Sequence, residues 1–193
     1  MVNAVDFLVD SGFIIPSGDQ HRVEQTTALS ADRIEVPRSI RKMIEYNLDR
    51  LKPEEQAVLE RASVAGEEFS AAAVAAAIKQ ELAQVEKCCT KLSLQEQFIR
   101  AGEPIRWPDG TVAAGFRFRH SLYQEVLYGR IPAGLRLQLH RRIAEREEAG
   151  HGDHAPKVAA ELAHHYLYGN DKDKAVKYLQ LAAEQALGRG CGG

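Results

Sequence analysis

The residues of this 193-residue chain best suited to chemistry are its histidines and cysteines. His151 and His154 stand in a glycine-rich stretch with Asp153 between them, and His164 and His165 follow Glu161 on a helical stretch. Imidazoles and carboxylates so spaced suit a divalent metal, but a closed zinc site needs four convergent ligands, usually with thiolates among them. The bland alternative is a solvated loop and a helix-packing pair. It is preferred, and no metal is expected. Cys88 and Cys89 are adjacent, a geometry that bridges only under strain. With Cys191 the thiols number three, which fits a reducing cytoplasm better than a disulfide framework. Cys89 falls on an apolar stripe with Leu82, Val85 and Leu92 and is expected in the core, with Cys88 half-buried.

Several motifs are missing. The chain has no Gly-x-x-x-x-Gly-Lys-Ser/Thr phosphate loop, no Gly-x-Gly-x-x-Gly, no His-Glu-x-x-His and no Gly-x-Ser-x-Gly. It is therefore not expected to be an enzyme on its own. Positive charge gathers late: Arg117, Arg119, Arg130, Arg136, Arg141, Arg142 and Arg146 meet only Glu125 and Glu145, a local net of +5. Such a run is a solvated face, or a contact for an acidic domain or for a nucleotide's phosphates, with DNA a weaker third choice. The overall charge of -2 and the pI near 6.4 give no field that would draw nucleic acid or an anionic membrane. No apolar stretch approaches a membrane span, and the N-terminus lacks the basic start of a secretion signal, so a cytoplasmic location is expected.

These residues need elements to position them. Apolar residues make up 45% of the chain, alanine is abundant and prolines number seven, so a mainly helical protein is expected. Val2, Val5, Leu8 and Val9 read as the end of a helix, which suggests a piece of something longer. Phe13 to Ile15 reads as a short strand and Pro16 to Asp32 as polar loop or a weak hairpin. Pro37 and Ser39 open a helix with Ile40, Met43, Ile44, Leu48 and Leu51 on its apolar face. Pro53 opens the next, ended by Gly66. Ser70 is placed to cap the alanine-rich helix Ala71 to Ile78, with Phe69 and Val74 as a hydrophobic staple. Glu81 to Leu94 is helical, and Phe98–Arg100 and Gly115–Arg119 read as a β-hairpin about the turn Pro108-Asp109-Gly110. Helices followed by such a hairpin give winged-helix order. Its DNA-reading helix would be Glu81 to Leu94, whose Glu81, Glu86, Lys87 and Lys91 sum to zero charge, poor equipment for a polyanion. Helices then follow over Ser121–Ile131 and Pro132–Gly150, with a loop at 150–153. A helical pair, Ala155–Tyr168 and Asp171–Leu187, packs through Ala159, Leu162, Ala163, Tyr166, Ala175, Tyr178, Leu179, Ala182 and Ala183, and looks like one tetratricopeptide-type unit. One such unit does not bury its face alone, so further repeats are expected beyond it.

The order of segments resembles the STAND-class signalling NTPases, multidomain regulators of bacteria. The resemblance is carried by Val36-Pro37-Arg38-Ser39-Ile40-Arg41, Leu48-Asp49-Arg50-Leu51, Pro53-Glu54-Glu55 and Ala62–Phe69, then by Phe116-Arg117-Phe118-Arg119-His120 with Glu125-Val126-Leu127-Tyr128. Glu161–Tyr166 and Lys174–Leu179 resemble the start of that family's tetratricopeptide array. The resemblance implies four parts: residues 1–36 as the tail of an ATPase lid, 37–131 as a winged-helix domain, 132–188 as a helical linker with a first repeat, and 189–193 as a flexible tail. It implies a non-catalytic regulatory fragment that relays the nucleotide state of a preceding ATPase domain to a repeat scaffold. Its partners would be that ATPase domain, further repeats and their protein ligand. ADP or ATP with magnesium would be bound by the parent protein, since this chain has no phosphate loop and holds no cofactor itself. The family places a histidine near the end of the winged helix against the bound diphosphate. His120 matches it, flanked by Arg119 and by Ser121, which opens a helix whose N–H groups face outward. The alternative role for His120 is capping or packing. The alternative function is a DNA-binding winged-helix part of a transcriptional regulator, expected to use Arg117, Arg119, Arg141 and Arg142 on phosphates.

Overall fold

The computed structural model describes residues 38–190. The elements expected before Pro37, the lid-tail assignment, Cys191 and the last glycines lie outside the described residues. Helix α1 (Arg38–Asp49) buries Ile44 and Leu48 and half-buries Ile40, and Leu51 just beyond its end is also half-buried. Met43, expected on that face, is half exposed, because it falls a sixth of a turn outside the line Ile40–Ile44–Leu48. Helix α2 (Pro53–Ala65) starts with proline at its first position. The Glu55 carboxylate accepts from the Lys52 N–H at 3.0 Å, which satisfies a free donor at the helix start.

Strand β1 (Glu68–Ser70) was not expected. Phe69, read as a staple residue, shares a core cluster with Val74 and also pairs with Phe116 across a sheet, ring centroids 5.9 Å apart. Three residues show no readable alternation, so only the partner strand reveals the element. Ser70 does cap α3 (Ala71–Ile78), its Oγ accepting from the Ala72 N–H at 3.1 Å. Helix α4 (Leu82–Leu94) buries Val85, Cys89 and Leu92. Strand β2 (Ile99–Ala101) then runs antiparallel to β5 (Gly115–Phe118), giving a sheet of order β1-β5-β2 with Ile99 opposite Phe118. Between them a second ribbon, β3 (Ile105–Arg106) and β4 (Val112–Ala113), closes through the Pro108-Asp109-Gly110 turn. Gly110 takes φ +89° there, a conformation that disfavours any side chain.

Helix α5 (Ser121–Arg130) and the 19-residue α6 (Ala133–His151) follow. The loop expected at 150–153 is absent: α6 runs to His151 and a 3-10 segment (Gly152–Val158) continues it. Helices α7 (Ala159–Tyr168) and α8 (Lys172–Gly190) form the expected pair, turning at Asn170 with φ +59°. The helix continues through residues 189 and 190, expected in the tail. Leu179, expected between the pair, is 51% exposed, because α8 packs through Ala175, Tyr178 and Ala182 and turns Leu179 outward.

The described chain is mainly helical, with small antiparallel sheets. Its core has three parts. Helices α1, α2, α4 and α5 and the sheet enclose the first, around Leu59, Phe98 and Phe118. In the second, α6 lies across the alanine surface of α3, with Leu139 and Ile143 against Ala73 and Ala77. Side chains of one carbon let the two backbones approach closely, and Arg142 reaches the Ala77 carbonyl at 2.9 Å. The third joins α6, α7 and α8 through Ala144, Tyr166 and Tyr178.

Candidate functional site

His120 stands where β5 ends and α5 begins. The preceding strand is extended, and His120 keeps that conformation (φ -150°, ψ 139°) as the N-cap residue of α5. Its Nδ1 accepts from the Leu122 N–H at 3.3 Å and its carbonyl accepts from Tyr123. A ring that accepts through Nδ1 carries its proton on Nε2, so an exposed N–H donor stands beside an exposed helix start. Ser121 is exposed next to it. Arg119 turns away: its guanidinium donates to the Glu96 carbonyl at 2.6 Å and to the Glu96 carboxylate at 3.2 Å. The three neighbours in sequence therefore do not converge as a trio. His120 and Ser121 share the helix start, and Arg119 is tied to the end of α4.

Most of the late arginines have partners close by. Arg117 pairs with Glu68 at 3.0 Å, and Arg130 with Asp49 at 3.3 Å and Glu60 at 3.6 Å. Arg136 lies over the Tyr128 ring, and Arg142 is bound to the end of α3. Arg141 is exposed on α6. The +5 read along the sequence thus becomes a set of local contacts, because its counter-charges come from distant segments.

Trp107, which sequence reasoning did not single out, marks a contact between the ribbon and the later helices. The residue is 7% exposed. The Arg146 guanidinium lies 4.4 Å above it, while also donating to Asp109 at 3.0 Å and Thr111 at 2.7 Å. The Asp109 N–H donates to the Gly150 carbonyl at 3.0 Å, and His151 packs on the indole. Hydrogen bonds from Thr111, reinforced by Arg146, hold the Asp109 carboxyl below the usual carboxylate range. The signals available in sequence were a lone tryptophan beside a Pro-Asp-Gly turn and a glycine inside a helix.

The histidines divide differently from the expected cluster. His151 belongs to the tryptophan contact, its Nδ1 bonded to the Glu147 carbonyl, and His154 is exposed. His164 and His165 join His140 of α6, a residue 25 positions away that the sequence did not connect to them. Among the described residues, no group of three His, Cys, Asp or Glu side chains is placed to hold a metal ion. Cys89 is fully buried, and burial followed by its neighbour Cys88 pushes its thiol up to about 12, which removes nucleophilic character. Cys88 is half-buried.

Comparison with protein-family models, with curated proteins and with solved structures finds no match for this chain.

Proposed function

We propose that this chain is a non-catalytic coupling module of a multidomain STAND-type ATPase, with residues 37–131 as a winged helix and 132–188 as a helical linker and first tetratricopeptide-like repeat. The order helix, strand, helix, helix and then four strands, with the first strand of the chain beside the last, supports the winged-helix reading. The α7–α8 pair supports the repeat.

One observation carries the coupling role: the clasp of Trp107, Asp109 and Thr111 onto Arg146 and Gly150 of α6. In a DNA reader the ribbon after the reading helix is free to reach the duplex. Here it is fastened to the helix that leads to the repeat, so a displacement of one is carried to the other. Helix α4 favours the same reading. Its exposed Lys91 is held by Glu55 at 2.6 Å, and Glu86 accepts from the Ala114 N–H, leaving Lys87 and Glu81 outermost.

In this reading the preceding ATPase domain holds ADP, and His120 Nε2 with the α5 start contacts its phosphates. The protein is cytoplasmic. Among the described residues, no helix is long and apolar enough to cross a membrane. The test is ADP release from the whole polypeptide. His120→Ala is expected to speed release about tenfold, the loss of one charge-assisted hydrogen bond. Unchanged release overturns the assignment of His120. DNA binding with a steep salt dependence would replace the coupling reading with that of a transcription factor.

A further inference from the structure

Three helices meet at a hydrogen-bonded line of rings. The Tyr128 hydroxyl of α5 lies 3.0 Å from His140 Nε2, and His140 Nδ1 lies 2.9 Å from His165 Nδ1 of α7. The two imidazoles are 1% and 4% exposed.

A neutral imidazole carries one N–H and one bare nitrogen, so the Nδ1–Nδ1 contact is satisfied when both rings are neutral and one donates to the other. A proton added to the accepting ring turns its acceptor into a donor, and two donors then face each other in the core.

The charges acting on the rings disfavour a cation, and the one favourable influence, the Ala65 backbone on His165, is outweighed by burial. Arg136 of α6 and His164 of α7 act on the rings with repulsive charge, and Tyr168 stacks on His140 at 5.3 Å. Helix α3 has no titratable side chain. On α2, Glu60 is engaged by Arg61 and Arg130, and on α8, Lys174 is bound by Glu148. Glu147 lies on the same helix as His140, and burial raises its carboxyl, so its own response to pH runs the opposite way.

We propose that the His140–His165 pair is an acid-sensitive latch holding α7, and the helical pair it begins, against α5, α6 and the end of α2. The proposal does not depend on the coupling role. Burial holds both imidazoles well below their usual range, with the neighbouring charges acting in the same direction. A histidine depressed in the folded state gives stability that is complete above the unfolded value of about 6.5 and is lost as pH falls below it. For each ring kept neutral at about pH 5, the folding constant drops roughly 20-fold between about pH 7 and pH 5.

The test is urea unfolding of the whole chain at both pH values, with and without the pair His140→Gln and His165→Gln. Glu147 contributes equally to both proteins, so the comparison isolates the rings. The ratio of folding constants between neutral and acid pH is expected to be at least about 20-fold smaller in the variant. An equal ratio overturns the latch. Long-range proton–nitrogen spectra of the unsubstituted chain give an independent reading, since both rings should keep neutral nitrogen shifts at about pH 5. A cationic ring at either position with the fold intact also overturns it.

Discussion

Gly150 lies so close beneath the Trp107 indole that a Cβ built on it would overlap the ring and come within 2.8 Å of the Arg146 guanidinium. The glycine sits near the end of α6, where alanine would ordinarily favour the helix by about 1 kcal/mol. Its absence of a side chain is what admits the ribbon tip.

Gly150→Ala should therefore loosen the clasp. Overpacking costs roughly 1–3 kcal/mol, which outweighs the gain in helix propensity. Trp107 is the only tryptophan, so its fluorescence reports the site directly. A red shift of the emission with a lower midpoint of unfolding is expected. Unchanged emission would show that the ring tolerates the methyl and that the close approach is not a constraint.

Glu148 on α6 ties α7 and α8 together. It accepts from the Tyr166 hydroxyl, from Tyr178 at 2.6 Å and from Lys174 at 2.6 Å. Burial pushes its carboxyl up, but the hydrogen bonds from Lys174, Tyr166 and Tyr178 prevail and bring it to about 2. A carboxyl depressed in the folded state stabilises above its unfolded value of about 4.3 and loses that contribution as pH falls toward 2. Glu148→Gln should cost about 1–2 kcal/mol at neutral pH, discounted for the partial exposure of Lys174, and should flatten acid unfolding between about pH 4 and pH 2. An unchanged acid limb in circular dichroism would contradict this.

Glu147 behaves oppositely. Its Oε2 is enclosed without a hydrogen-bond partner, and burial, aided by Glu161, raises the carboxyl to about 8. A raised carboxyl favours the folded state at low pH, and the advantage disappears as pH climbs from about 4.3 through 8. Glu147→Gln should match the parent near about pH 5 and exceed it by a few kcal/mol near about pH 9. Equal stability of the two proteins at the alkaline end would show that the carboxylate finds a solvated position.

Much of the helical scaffold was legible in the sequence, because long apolar stripes and proline and glycine stops are local signals. Ile44 and Leu48, the Ser70 cap, Cys89 in the core and the pairing of β2 with β5 follow from spacing, whereas the inner β3–β4 ribbon that the turn closes does not. The missing features all depend on distant partners. Strand β1 is three residues long and exists because Phe116 faces Phe69. His140 pairs with His165 across 25 residues. The basic run lost its character as a face because Glu68, Asp49, Glu60 and Glu96 arrive from elsewhere. Trp107 gave no periodic signal, and its meaning appears only once Gly150 is beneath it.

In the proposed coupling, nucleotide state reaches the helical pair through the clasp. Hydrogen exchange on the whole polypeptide, with ADP and then with a non-hydrolysable ATP analogue, tests it most directly. Protection of the Leu122 and Tyr123 amides at the α5 start should change together with that of the Asp109 amide bound to Gly150. Exchange at both places that is indifferent to nucleotide, or a polypeptide that binds none, would contradict the account.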